Sequence, residues 1–315
     1  MIVLGIDIGG TSIKGAAITD QGKILDGFSM KMDRKASPTR TFGDLAKLIK
    51  EFLSTHKYDE PISGVGMGVP GLINKVTGEV SSSPNMKKWL NFNIVEFMEK
   101  KIKLPVRIIN DASAAALGEA KFGVGKDYNY LVMITLGTGV GGGIVYNKQV
   151  IDGNEGKGAQ LGHGLVKING RKCGCGRRGC LEAYASATAL IKETNKSLKK
   201  HPESLLHEIV KEYGEVDARA AFEAERRGDK EGTRLVTEYV MYLGEGLLNI
   251  SNMLRPEIIV LSGGVANEGK YLIDKLDKYL KDRHYGILNG PVVKIAQASL
   301  GYDAGKIGAA SLFFE

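Results

Sequence analysis

Three cysteines, Cys173, Cys175 and Cys180, crowd into eight positions with Gly174, Gly176 and Gly179 between them, and His163 stands ten residues before the first. Three thiolates and one imidazole complete the tetrahedral shell that zinc prefers, and no position remains open for a reactive water. The site this spacing predicts is structural. An odd number of cysteines in so short a stretch suits a metal loop better than a disulfide framework. The other histidines, His56, His201, His207 and His284, lie in polar contexts and receive no role.

Phosphate chemistry is suggested by glycines. Asp7-Ile8-Gly9-Gly10-Thr11-Ser12-Ile13-Lys14 joins two apolar runs, so its glycines can turn tightly and bring backbone N–H groups to phosphate oxygens, with Asp7 facing a nucleotide's metal. An ordinary hairpin is the alternative. Gly137-Thr138-Gly139-Val140-Gly141-Gly142-Gly143 contains G-x-G-x-x-G, yet Ile144-Val145-Tyr146 continues as a strand where a dinucleotide fold requires a helix. The dinucleotide reading is therefore rejected. No G-x-x-x-x-G-K-[ST] loop and no protein-kinase H-R-D and D-F-G pair is present. A third element, Ile258 to Val265, is a buried run ending in Gly263-Gly264, which suits either a ligand or a plain strand-to-helix turn.

Asn110-Asp111 ends the run Val106-Arg107-Ile108-Ile109 and precedes the alanine-rich Ala112 to Leu117. A carboxylate at the C-terminal end of a strand lies where α/β proteins bind ligands, which is the place for a general base. Asp is equally a favoured helix N-cap, and the local sequence leaves both roles open.

Positioning these groups requires strands and helices in alternation. Apolar runs predict strands at Ile2 to Ile8, Gly15 to Thr19, Val65 to Val69, Val106 to Ile109, Tyr130 to Leu136, Gly143 to Tyr146, Ile258 to Leu261 and Val292 to Ala296. Between them, Phe42, Leu45, Ile49 and Phe52 share one helical face, and Val236, Tyr239, Val240, Leu243 and Leu247 share another. Mixed α/β layers follow. The segments from Gly5 and from Thr135 repeat one plan: a strand, a Gly and Thr turn, a second strand, and a polar turn into a third. Two related hairpin units about 130 positions apart indicate a duplicated lobe with a ligand between the halves.

The bulk properties agree. With 315 residues the chain is long enough for two lobes, and its 42 glycines exceed the average usage of ~7%. The net charge of +7 is scattered among acidic residues, as in a protein that attracts small anions and not nucleic acid. No uninterrupted apolar run approaches the ~18 residues a membrane span needs, and the first strand begins at Ile2, leaving no room for a signal peptide. A cytoplasmic protein is expected.

Taken together, DIGGTSIKG, GVGMGVPG from Gly64, SPN at 83–85, NDASAAALGE from Asn110, LGTGVGGG, LGH, CGCGRRGCLE and IIVLSGG resemble the ROK family of sugar kinases, within the actin-like and hexokinase-like ATPases. The resemblance covers essentially the whole chain. It implies a two-lobed, ribonuclease H-like α/β fold with an interlobe cleft: a smaller lobe over 1–117 rejoined by a C-terminal helix in 301–315, and a larger lobe over 118–300 carrying the zinc loop. It further implies Mg²⁺-ATP and structural Zn²⁺ as cofactors, a free sugar as substrate, and a homodimer. By the same resemblance Asp7, Gly9, Gly10, Thr11 and Lys14 form the first phosphate loop, Thr138 and Gly139 the second, and Gly263 and Gly264 the adenosine-side turn. Sugar hydroxyls fall to Gly71, Asn85, Asn110, Asp111, Gln160, His163 and Glu182, with Asp111 the base and His163 shared with zinc through its second ring nitrogen.

One departure stands out. The family reads E-x-G-H before the zinc loop, whereas here the segment is Gln160-Leu161-Gly162-His163. A neutral amide replaces an anionic acceptor, which bears on which sugar is preferred. D-glucose is the expected substrate; N-acetylmannosamine, N-acetylglucosamine, allose and fructose remain alternatives, as does polyphosphate as donor. A sugar sensor without catalysis is a further alternative, and the family's repressors carry a DNA-binding domain for which the start at Ile2 leaves no place.

Overall fold

The computed structural model describes residues 1–82, 86–281, 283, 285 and 293–314. They cluster into two units, one formed by 1–131, 143–159 and 299–315, the other by 132–142 and 160–298.

In the first unit, β1 (Ile2–Ile8), β2 (Ser12–Thr19) and β3 (Ile24–Lys31) form an antiparallel meander. Helix α1 (Pro38–Thr55) leads to β4 (Ile62–Val69), parallel to β1. A small pair, β5 (Leu72–Asn74) and β6 (Glu79–Ser82), precedes α2 (Ile94–Ile102), then β7 (Val106–Asn110), parallel to β4, and α3 (Asp111–Phe122). The sheet order is β3-β2-β1-β4-β7. Helix α1 starts where Pro38 fixes φ and the Ser37 hydroxyl accepts the Arg40 N–H at 3.2 Å. Its Phe42, Leu45, Ile49 and Phe52 face enters one core with Leu4, Ile6, Ile8, Met67 and Trp89.

The second sheet repeats the first. Strands β8 (Tyr130–Leu136), β9 (Val140–Tyr146), β10 (Gln149–Val150), β11 (Ile258–Ser262) and β12 (Lys294–Gln297) take the order β10-β9-β8-β11-β12, with β10 antiparallel to β9 and β12 parallel to β11. Third, second, first, fourth and fifth strands occupy equivalent places in both sheets; the repeated hairpin plan anticipates the first three of them. Helices α4 (Glu182–Ala185), α5 (Ala187–Lys200), α6 (Leu206–Tyr213), α7 (Arg219–Arg226), α8 (Lys230–Leu254) and α9 (Lys270–Lys281) belong to the second unit, and α10 (Ala304–Ala310) to the first.

Several boundaries differ from the sequence reading. Strands β2 and β9 begin at Ser12 and Val140, three residues earlier than expected, so Gly141 and Gly142 are strand residues. Glycine is tolerated there because neighbours fill the space a side chain would take: a Cβ on Gly142 would lie 2.7 Å from Leu161, and one on Gly143 2.5 Å from Ala116. The last helix ends at Ala310, and the following turn tucks Phe314 against Val3, Ile18 and Ile307. The last strand begins at Lys294; Val292 lies outside the described residues. Among the described residues no helix is long and apolar enough to cross a membrane.

Candidate active site

The first glycine turn is closed by the Gly9 N–H donating to the Ser12 carbonyl at 2.9 Å, leaving Gly10 and Thr11 exposed. Asp7 pairs with Lys14 across β1 and β2, and a Cβ on Gly305 would come within 2.9 Å of the Asp7 carboxyl carbon. Glycine at the start of α10 thus admits the carboxylate. Burial raises the Asp7 carboxyl above its usual range, with Lys14 and Lys306 pulling it back. The Lys14 ammonium rests 5.3 Å above the Tyr302 ring.

At the end of β7 the structure separates two roles the sequence left joined. Asn110 is the cap of α3: its Oδ1 accepts the N–H groups of Ala112 and Ser113 at 3.0 and 3.2 Å, and its Nδ2 donates to the Gly71 carbonyl at 3.0 Å. Asp111 is instead the first helical residue, its Oδ1 taking the Ala112 N–H at 2.9 Å. Gly71 sits at φ 112°, a conformation that favours glycine, so the loop carbonyl that orients Asn110 depends on residue type. Burial pushes the half-buried Asp111 carboxyl up to about 6; the Ala112 N–H opposes this and the charge of Asp7 adds to it. A base held near neutrality at a helix start is suited to taking a proton from a hydroxyl.

In the second unit the turn Gly137-Thr138-Gly139 is braced from α5. The Ala187 N–H donates to the Gly137 carbonyl at 2.8 Å, and the Thr188 hydroxyl donates to the Thr138 carbonyl at 2.8 Å. Thr188 was not apparent from sequence, since its hydroxyl matters only through the register of α5, which Ser186 sets by capping Ala189. Glu182 joins the turn to the cysteine loop. Its Oε2 accepts the Val140 N–H at 3.1 Å, and its Oε1 lies 3.5 Å from Cys173 Sγ. A Cβ on Gly139 would stand 2.4 Å from Oε2, so only glycine leaves the carboxylate its place. Because Gln keeps one acceptor oxygen and adds an N–H₂, Glu182→Gln is expected to retain the Val140 contact but weaken catalysis about tenfold. An unchanged kcat/KM would remove Glu182 from the site.

The four candidate metal ligands come together. One ligand atom each from His163, Cys173, Cys175 and Cys180 lies within 4.8 Å of every other; His163 Nδ1 is 3.7 Å from Cys173 Sγ, and Cys175 Sγ 3.7 Å from Cys180 Sγ. Tetrahedral zinc with bonds of about 2.3 Å sets sulfurs about 3.8 Å apart, so the cluster fits that ion. No disulfide links the thiols. The loop folds by its own backbone: Cys173 N–H to the Arg177 carbonyl at 2.9 Å, Gly176 N–H to the Cys173 carbonyl at 3.1 Å, and Gly179 N–H to the Arg171 carbonyl at 2.9 Å. Gly176 and Gly179 at φ 93° and 82° make those turns possible. Burial pushes the Cys173 thiol up to about 12, and a divalent cation is what would hold it as thiolate.

Gln160 is exposed and precedes the single turn Leu161–His163, its carbonyl accepting the His163 N–H at 3.0 Å. Gly263, at φ 89°, lets β11 pass the Leu136 carbonyl, which a Cβ would meet at 2.6 Å, and Gly264 opens an exposed turn. Asn85 lies outside the described residues, as does the rest of the SPN segment.

A family model described as the ROK family matches residues 3–315. The chain belongs to the ROK family. Among ROK proteins it is 34% identical to a glucokinase of Thermotoga maritima, over 99% of this chain and 97% of that one. It is 36% identical to a glucokinase of Halalkalibacterium halodurans, over 97% and 92% of the two chains. A crystal structure of the ROK glucokinase from Streptomyces griseus with glucose and AMPPNP superposes at a TM-score of 0.84, with 30% identity and 99% of both chains covered. The mixed α/β fold is thus that of ROK glucokinases.

Proposed function

We propose that this protein transfers the γ-phosphate of ATP to a hydroxyl of a free hexose, glucose before others. The observation that carries the reading is the paired arrangement at the start of α3: Asn110 takes the capping role and leaves Asp111, raised to about 6, as a base. Full-length relatives named as glucokinases support the sugar and the donor.

In this reaction the sugar oxygen attacks the γ-phosphorus, the bond from that phosphorus to the β,γ-bridging oxygen breaks, ADP leaves, and Asp111 receives the hydroxyl proton. Phosphoryl transfer asks chiefly for alignment and charge neutralisation. The N–H groups of Gly10 and Thr11, in the turn that the Gly9 N–H closes, and the Lys14 ammonium would hold phosphate oxygens, with Thr138, Gly139, Gly263 and Gly264 serving the nucleotide. Asp7, an oxygen donor suited to a hard cation, would hold Mg²⁺, which supplies charge neutralisation when it accompanies ATP. Asn110, His163, Gln160 and Glu182 would hold sugar hydroxyls, and Asn85 and Gly71 belong to the same reading. His163, Cys173, Cys175 and Cys180 would bind Zn²⁺, whose contribution is to cross-link their loop. A cytoplasmic homodimer built through helices of the second unit completes it, with light scattering as its check.

Coupled detection of ADP on a panel of hexoses at fixed Mg-ATP tests the whole: glucose should give the highest kcat/KM, and absence of ADP with every sugar would leave only a sugar-binding protein. Gln160→Glu restores an anionic acceptor, and hydrogen bonds to charged groups exceed neutral ones enough to lower the sugar KM by about tenfold. An unchanged KM and unchanged selectivity would show that Gln160 does not touch the sugar.

A further inference from the structure

Beyond β3 the chain does not leave the first glycine turn. The Met32 N–H donates to the Thr11 carbonyl at 2.9 Å, which carries the strand's alignment one residue past its end. Two residues later Arg34 folds back, and its Nε donates to the Gly10 carbonyl at 2.5 Å. Its Nη2 lies 2.5 Å from where a Cβ on Gly10 would be, so the guanidinium occupies the space that glycine leaves open. Arg34 is exposed, and no carboxylate pairs with it among the described residues. An exposed arginine held on a backbone carbonyl, with its two terminal nitrogens directed to no acidic partner, is placed for an anion. The other cation of the turn, Lys14, rests over Tyr302.

We infer that Arg34 binds the transferable phosphoryl group of the donor. The inference rests on the kinase reading and extends it by a residue that the family motifs do not contain. A planar guanidinium fixed through Nε presents its remaining N–H groups as a fork, matching two non-bridging oxygens where an ammonium offers one point charge. In phosphoryl transfer negative charge is spread over the three equatorial oxygens, and a cation held against them acts in the transition state as well as in binding. Arg34 neither gives nor takes a proton; the proton goes to Asp111 and the leaving group is ADP.

The test compares AMPPNP with ADP by calorimetry on the wild type, Arg34→Ala and Arg34→Lys, without sugar, alongside steady-state kinetics. Loss of a charge-assisted contact to the γ-phosphate should weaken AMPPNP by at least about tenfold in Arg34→Ala and leave ADP unchanged. kcat/KM for ATP should fall in parallel while the sugar KM and the thermal midpoint stay put. Arg34→Lys should recover only part, since a lysine cannot hold the Gly10 carbonyl and the phosphate together. An unaltered ratio of AMPPNP to ADP affinity overturns the inference. An equal loss of both ligands also overturns it, because Arg34 would then act on the shape of the turn. Running polyphosphate beside ATP separates the sources of the group: a fall confined to ATP ties Arg34 to the nucleotide's phosphate. A wild type that turns over no sugar would defeat the kinase reading, yet the binding ratio would still judge Arg34.

Discussion

Asp111→Asn should lose at least about 100-fold in kcat, the lower end of what general-base catalysis supplies, while keeping most of the sugar affinity. The same substitution should make the protein more stable at pH 7. The folded-state carboxyl titrates at about 6 against an ordinary 3.8, chiefly through burial, so folding favours the protonated form. Stability contributed by this group is complete below about pH 4 and falls as pH rises through 6. Above that the charge is a standing penalty of about 2 to 3 kcal/mol, at ~1.4 kcal/mol per pKa unit. Asn removes the charge and can still accept the Ala112 N–H that Asp111 Oδ1 accepts at 2.9 Å. Opposite signs in turnover and thermal midpoint would separate loss of a base from damage to the fold. In the wild type, kcat/KM should decline about tenfold per pH unit below about 6 as the base is protonated. Near-normal turnover in the variant, or a flat acid limb, would take Asp111 out of the role.

On the proposed zinc site, preventing metal binding should have a comparable effect by a different route. Structural zinc contributes roughly 10 to 16 kcal/mol to the folding of small domains, as much as the whole stability of many proteins. In this chain the ligand cluster is joined to the second glycine turn through Glu182, which touches Cys173 Sγ with one oxygen and receives the Val140 N–H with the other. Loosening the loop should therefore release the second glycine turn, to which the proposed function gives the nucleotide. Cys180→Ser, at a buried ligand, is expected to lose bound zinc, lower the thermal midpoint by several degrees and reduce kcat/KM by at least about 100-fold. Metal analysis and calorimetry report the first two without reference to activity. A variant that keeps its midpoint and turnover after losing the metal would show that the loop folds by its backbone hydrogen bonds alone.

Much of this was legible in the sequence because it depends on local chemistry. Gly176 and Gly179, interleaved with the cysteines, mark a tight loop, the spacing from His163 to Cys180 suits a tetrahedral ion, and the two hairpin units announce a repeated three-strand plan. Even Asp111 was marked as either base or cap. Assigning the cap required the tertiary structure: Asn110 reaches the Gly71 carbonyl, 39 positions away, and takes the capping role, so that the base proposed at Asp111 does not have to serve as the cap as well. Burial of that neighbour, which raises its carboxyl, is likewise a property of packed elements and not of a tripeptide. The same holds for Glu182, whose two oxygens face Cys173 and a Val140 N–H 42 residues distant. Arg34 is the plainest case. Its sequence context is an unremarkable Asp-Arg-Lys, and only the return of the chain after β3 brings its guanidinium onto Gly10. Residue type and spacing set which reactions the chain can perform; which atoms are left free to perform them was decided by long-range contacts, because each hydrogen-bonding group spent on the fold is one withdrawn from the substrate.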